Sequence, residues 1–381
     1  MKYCNNCLIP EIRPDQFLIN GTCNACLSFE NKKNINWNDK RKKLLEIISN
    51  LNLKKDSWNC IIPSSGGKDS TYQALRAREL GLNPLIVTAT TCHLSDVGKK
   101  NIENLKRIGF DTIEFSSNYE VRKKLNKICL KEIGDISWPE HVSIFTIPIK
   151  IACNFKIPLI IYGENPQMEY GGPTDSLGNF HLDRKWMEEF GGLIGLRVSD
   201  LYNHYNFKKK DLEFLEYPSG DDLEKNRIQS IFLGYFEEWD SLRNFEISKE
   251  NGFEPFSQIV ENCYFNFEKL DNYQHGIHDY FKFLKYGFGR ASDQVSLLIR
   301  KKIISREEGI EIVRKYEGLF PNSYLGKSIK EILDNIDLSL EEFIKICDKF
   351  TNKKIFKCNQ AGELIKDDFG NVVKMHENFN N

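Results

Sequence analysis

No stretch of this chain is both long and apolar. Its apolar runs fall well short of the roughly 18 residues that a membrane-spanning helix requires, so no membrane association is expected. The opening Met1-Lys2-Tyr3-Cys4 offers no apolar core for a secretory signal, and a cytoplasmic location is expected. A surplus of charge is missing too. The 53 basic residues face 54 acidic ones for a net charge of −1, which disfavours nucleic acid as a partner. Nor is there a disulfide framework: of 11 cysteines, Cys60, Cys92, Cys129, Cys153, Cys263, Cys347 and Cys358 are scattered without pair spacing, which fits a reducing compartment. Internal repeats and low-complexity tracts are absent. The 381 residues, 40% hydrophobic and 28% charged, suffice for two or three domains with a substantial core.

What is present begins with the other four cysteines. Cys4-x-x-Cys7 and Cys23-x-x-Cys26 make a C-x2-C-x15-C-x2-C pattern. Each short turn presents two thiolates to one ion, and the intervening residues suffice for a hairpin that joins the pairs. Asn20-Gly21 is the turn signal for that hairpin. A closed four-sulfur shell predicts a structural zinc ion; an iron–sulfur cluster is the alternative.

Residues 1–34 form this knuckle, with a polar linker at 31–38. Residues 35–205 then alternate strand and helix. Leu44, Ile48 and Leu51 lie at helical spacing. Strands are expected at 60–63, 85–89, 111–116 and 159–163, with helices at 71–80, 97–108, 125–133 and 144–153. That alternation predicts an α/β fold: a parallel sheet with helices on both faces. Residues 206–381 read as a mainly helical region for substrate or partner. Ser305-x-x-Glu308 and Ser339-x-x-Glu342 are capping boxes that start two of its helices. The tail beyond about Asp367 is polar and expected to be loose.

Ser64-Ser65-Gly66-Gly67-Lys68-Asp69-Ser70 lies just after a predicted strand and just before a predicted helix. Glycines there let backbone N–H groups approach phosphate oxygens, and the helix start adds its positive end. The spacing fits neither a Walker A loop nor a dinucleotide fingerprint. Gly163-Glu164-Asn165 ends the fourth strand, where ligands of open parallel sheets bind. It is a candidate second wall, and the Glu169-Tyr170-Gly171-Gly172-Pro173 loop beyond it is a candidate cover. Thr88 and Ala89, at the end of the second strand, are candidates for the adenine. Tyr286 to Asp293 is a glycine-aromatic-arginine turn in which Arg290 is positioned to meet an anionic substrate. His93, His141 and His181 lack metal-ligand spacing and read as structural.

Ser65-Gly66-Gly67-Lys68-Asp69-Ser70 resembles the PP-loop of the ATP pyrophosphatase superfamily, an adenine nucleotide alpha hydrolase-like (HUP-like) fold. The resemblance implies that this loop binds the β and γ phosphates of ATP. Lys68 would neutralise phosphate charge and Asp69 would help hold Mg²⁺, the two forming the catalytic pair. Ser64, Ser65, Ser70 and Gly163 would complete the ATP site.

Tyr3-Cys4-x-x-Cys7-Leu8-Ile9-Pro10, Arg13-Pro14, Gly21-x-Cys23-Asn24-Ala25-Cys26, the glycine loop, Gly163-Glu164-Asn165 and Gly289-Arg290-Ala291-Ser292-Asp293 together resemble the N-acetyl sugar amidotransferase family. Members act on bacterial surface sugars, in lipopolysaccharide O-antigen and flagellin glycan synthesis; the pseudaminic acid amidotransferase is one. The resemblance implies O-adenylation of an acetamido group, release of pyrophosphate, and displacement of AMP by ammonia to leave an acetamidino group. Glu164, Asn165 and Arg290 would then contact the sugar.

Residue 2 is lysine, so no N-terminal cysteine glutaminase is present, and Cys92 in Thr91-Cys92-His93 lacks a nucleophile-elbow context. Ammonia is therefore expected from a partner glutaminase resembling the subunits of imidazole glycerol phosphate synthase, or from solution. Two other readings stand beside this one. A tRNA-thiolating PP-loop enzyme shares the knuckle and loop but needs further cysteines. A zinc-ribbon adaptor would need no intact loop.

Overall fold

The computed structural model describes all residues except 13–15, 52, 55, 167, 168, 170–180, 183, 186–192, 377, 378, 380 and 381. Arg13-Pro14 and most of the loop proposed as a cover therefore lie outside the described residues.

A hairpin of β1 (Leu18–Ile19) and β2 (Thr22–Cys23) turns at Asn20 and Gly21, both at positive φ. Helix α1 (Asn24–Asn31) follows, and a 3-10 turn at Lys32–Asn34 replaces the expected linker. Lys32 is buried there and pairs with Glu169, which is what fixes the segment. Helix α2 (Trp37–Asn50) then leads to the sheet.

Five parallel strands build that sheet: β3 (Cys60–Pro63), β4 (Pro84–Ala89), β5 (Asp111–Phe115), β6 (Leu159–Tyr162) and β7 (Gln229–Phe232), in the order β5-β4-β3-β6-β7. The central strands are unbroken apolar runs because helices cover both their faces. Helices α3 (Lys68–Glu79), α4 (Asp96–Arg107), α5 (Tyr119–Ile133) and α6 (Trp138–Phe155) connect the first four. Helix α6 is longer than its periodicity predicts, since Pro139 suits a first helical turn. Short helices at Val198–Tyr205, Lys209–Leu212 and Gly220–Asn226 lead to β7. The sheet thus draws its edge strand from beyond residue 205, within the stretch read as mainly helical.

After a short helix at Leu233–Phe236 the rest is mainly helical, α7 (Ser241–Glu250), α8 (His275–Tyr286), α9 (Arg290–Arg300), α10 (Arg306–Tyr316), α11 (Ile329–Asp334) and α12 (Leu340–Phe350), with a small antiparallel hairpin of Ser323–Tyr324 and Lys327–Ser328 before α11. Both predicted capping boxes form, and Ser328 with Glu331 makes a third. Phe281, Phe343 and Ile346 belong to a second apolar core under these helices. The tail is not loose throughout. Lys366 bridges Val372 and Phe356 bridges Lys374, with Val372 buried.

Hydrogen bonds sew the C-terminal region to the sheet domain, two of them close to the glycine loop and α4. Ser95 N donates to the Asp271 carbonyl at 3.0 Å, and Ser248 Oγ donates to the Lys68 carbonyl at 2.6 Å.

Candidate nucleotide site and metal centre

Strand order reverses between β3 and β6, since β4 and β5 lie to one side and β6 and β7 to the other. The two turns that leave the sheet at this point flank a crevice, the place where doubly wound sheets bind ligands. They are the glycine loop after β3 and Gly163-Glu164-Asn165 after β6.

The loop is held by its own side chains. Ser64 Oγ lies 2.8 Å from Ser70 Oγ and accepts from Gly66 N at 3.0 Å. Ser70 Oγ donates to the Gly67 carbonyl at 3.0 Å. Gly66 sits at φ +78°, and a Cβ there would stand 2.7 Å from the Ile102 backbone nitrogen. Both the conformation and the space require glycine. Gly67 is the N-cap of α3 and supplies no side-chain acceptor, so the first-turn N–H groups face outward for an anion. Ser65 is exposed at the loop's tip.

Lys68 is only 5% exposed. Its ammonium pairs with Asp69 and stands 3.3 Å from Glu268 Oε1. Burial works against the charge, but Asp69, Glu268 and Glu164 outweigh it and push the lysine pKa up. Glu164 therefore lies within electrostatic reach of the loop, as the strand-end argument predicts. Asp69 also accepts from Asn244 Nδ2 at 3.0 Å, which anchors it to α7.

Glu268 escaped sequence reasoning because it lies in an irregular aromatic stretch with no motif. Besides Lys68, it accepts from Gln294 Nε2 at 2.9 Å and Ser241 Oγ at 3.3 Å. Burial would raise its carboxyl, but Lys68 and Arg290 hold it below the ordinary value. Arg290 opens α9 beside it. Its guanidinium lies 3.3 Å from Asp279 and 3.6 Å from Asp293. Arg290 thus faces carboxylates, and its charge reaches the loop through Glu268.

The remaining candidates are placed as follows. Thr88 is buried near the end of β4, and Ala89 is half-buried. Gly163 packs under Trp239 and Gln73, where a Cβ would come within 2.9 Å of the indole. Asn165 is fully buried. His181 bridges Ile231 of β7, and His93 is buried behind β4. Burial pushes the Cys92 thiol up to about 11, so it is not a thiolate nucleophile at neutral pH.

At the N-terminus the four sulfurs of Cys4, Cys7, Cys23 and Cys26 lie within 4.8 Å of one another, all buried. Cys4 and Cys26 are 3.8 Å apart, and Cys7 and Cys23 are 3.6 Å apart. Tetrahedral sulfurs around a zinc ion, each about 2.3 Å from it, would be about 3.8 Å apart. The cradle therefore fits one four-coordinate ion with no open position. Arg300, at the end of α9, points its guanidinium at Cys7 Sγ from 3.9 Å and offsets the thiolate charge. Arg306 clamps the Cys4 and Cys7 carbonyls, and Leu8 N donates to Ser296 Oγ at 3.2 Å. The knuckle is thus built onto α9.

Residues 250–369 match the model of a family described as LPS biosynthesis protein WbpG-like, C-terminal domain. Glu268, Arg290 and Gln294 fall inside that stretch. No curated protein matches the chain. Among solved structures, one similar chain is described as a predicted subunit of tRNA methyltransferase from Methanocaldococcus jannaschii. It is 14% identical, covers 70% of this chain and 93% of its own, and has a TM-score of 0.29. That likeness is too distant to inform the site. The C-terminal region, by contrast, is similar to a lipopolysaccharide-synthesis family across the residues that grip the glycine loop.

Proposed function

We propose that this chain is an ATP-dependent N-acetyl sugar amidotransferase of bacterial surface-polysaccharide synthesis. The observation that carries the reading is the grip on Lys68. A glycine loop suited to phosphates is completed by Glu268, from the stretch similar to lipopolysaccharide-synthesis proteins. A nucleotide-cleaving loop and a sugar-pathway region therefore meet at one lysine.

In this reading the triphosphate arrives with Mg²⁺. The loop N–H groups and Lys68 would take the β and γ phosphates, and Asp69 would help hold the Mg²⁺. The acetamido oxygen attacks the α phosphorus and pyrophosphate leaves. The amide carbon, now carrying AMP as leaving group, accepts ammonia, and loss of AMP leaves the acetamidino group. The chain's contribution is positioning and charge neutralisation. Glu164 and Asn165, which follow β6 at the strand ends, would contact the sugar. Ammonia would come from a separate glutaminase or from solution, consistent with the protonated Cys92 thiol.

Sulfur transfer to tRNA finds less support. Cys129 lies in the core around the sheet and Cys263 in the C-terminal core. Among the described residues, the four N-terminal cysteines alone gather closely enough to share an ion.

The test is to incubate the purified chain with ATP, Mg²⁺, ammonium and a panel of acetamido sugars, free and nucleotide-linked. Pyrophosphate release that depends on the sugar, with a product in which NH replaces oxygen, supports the reading. Pyrophosphate release indifferent to every sugar would remove it. Ammonium should serve far better than glutamine.

A further inference from the structure

The seam between the sheet and the C-terminal region carries a second polar cluster that uses none of the loop residues. Asp135, between α5 and α6, has a side chain 3% exposed. Its Oδ1 accepts from Ser137 N at 2.9 Å and lies 2.8 Å from His278 Nδ1. Its Oδ2 lies 3.5 Å from His141 Nδ1. His141 belongs to α6 and His278 to α8, so two imidazoles from opposite sides of the seam share one carboxylate. Their rings meet edge to face, 5.0 Å apart. Both side chains remain about a quarter exposed, at 25% and 22%, above the buried anion. Burial alone would raise the Asp135 carboxyl, yet the two histidines keep it well below its ordinary value.

Gln274 adds a second, independent observation. It is fully buried, and its Nε2 donates to Ser137 Oγ at 3.2 Å. Its Oε1 is buried with no donor among the described residues. A buried amide oxygen left without a donor is costly, and such groups recur where a ligand supplies the missing proton.

The cluster lies on the ligand side of the sheet. Helix α6 runs directly into β6, so in a parallel sheet it starts near the edge where the strands end. His278 also adjoins Asp279, the partner of Arg290, whose charge in turn acts on Glu268 and so on Lys68. A run of polar neighbours, Asp279, Arg290 and Glu268, therefore lies between the cluster and the glycine loop.

We propose that His141, His278, Asp135 and Gln274 form the subsite that receives the hydroxyl and amide groups of an acetamido sugar. The inference rests on the reading above. A sugar offers many O–H donors and acceptors and an N–H beside its carbonyl. Gln274 Oε1 accepts one donor, while His278, held through Nδ1, and the neighbouring His141 offer ring nitrogens to other groups of the sugar. The seam then binds the sugar with its acetamido group toward the crevice.

The experiment uses the full chain and the acetamido sugar that supports its pyrophosphate release. With a non-hydrolysable ATP analogue bound, adding that sugar should shift the imidazole NMR signals of His141 and His278 and leave those of His93 in place. Gln274→Leu and His278→Phe should each raise the sugar KM about tenfold while the ATP KM stays within about twofold. Unmoved His141 and His278 signals, or unchanged sugar KM in both variants, would overturn the subsite while leaving the amidotransferase reading intact. If no acetamido sugar supports pyrophosphate release, the reading fails and the subsite falls with it.

Discussion

Glu268 Oε1 stands 3.3 Å from the buried ammonium of Lys68, although the two residues belong to different regions of the chain. The contact ties the glycine-loop lysine to the C-terminal region. Glu268→Gln keeps the shape and removes the charge. Among the described residues, Lys68 then keeps Asp69 as its ion-pair partner, and Gln294 loses a charged acceptor. The substitution should cost about 1–3 kcal/mol of stability and lower pyrophosphate release about 10- to 100-fold. Denaturant titration and a pyrophosphate assay check the two effects separately. Unaltered turnover would show that the grip on Lys68 is dispensable.

Gly66 and Gly81 offer a matched pair. Both adopt positive φ, +78° and +79°, but a Cβ at Gly81 meets nothing while one at Gly66 meets the Ile102 backbone. Gly81→Ala should cost about 1 kcal/mol from conformation alone. Gly66→Ala should cost more and also weaken ATP binding, because relief of the clash must move the loop or α4. Calorimetric titration with ATP on both variants reads the difference. Equal affinities would mean that the loop tolerates displacement.

His93 predicts a pH dependence. Burial, with help from Lys327, pulls its imidazole down to about 4. The unfolded chain protonates this ring below about pH 6.5. Between those values the unfolded state binds the extra proton, so stability rises with pH and is lost on acidification. The contribution is up to about 3 kcal/mol at the acid end of the window. Melting curves from pH 7 to 5 should show a shallower acid slope for His93→Phe than for the parent chain. Identical slopes would place the sensitivity elsewhere.

Cys23→Ser should abolish stoichiometric zinc and lower the melting temperature, because a closed shell of three thiolates and a hydroxyl binds the ion far less tightly. A chromogenic zinc assay on denatured protein gives the stoichiometry. The far-ultraviolet signal of the sheet should persist, since β3 to β7 belong to a separate core. A variant that retains one zinc per chain would contradict the four-thiolate assignment.

Much of this was legible in residues alone. The cysteine spacing announced the four-sulfur cradle, and the glycine loop was placed correctly between a strand and a helix. Alternating apolar runs gave four of the five strands. Gln229–Phe232 was missed because it is short, half polar and embedded among helices, so only its pairing with β6 reveals it. Lys32–Asn34 looked like a linker because the partner that orders it, Glu169, is remote. Glu268 and the Asp135 cluster carry no local signature at all. Their meaning comes from tertiary neighbours, and Arg290 changed meaning for the same reason. A lone arginine after glycine reads as a substrate contact until Asp279 and Asp293 are seen beside it.

The seating of the cysteine knuckle has a consequence for how the chain is made. Its residues are made well before Ser296, Arg300 and Arg306, which bind its backbone and thiolates. Phe288 caps the same cluster and is equally late. During synthesis, at about 5–20 residues per second, the knuckle stays uncovered until α9 and α10 have emerged. A truncation before α9 would therefore leave the knuckle face that α9 covers naked and invite aggregation.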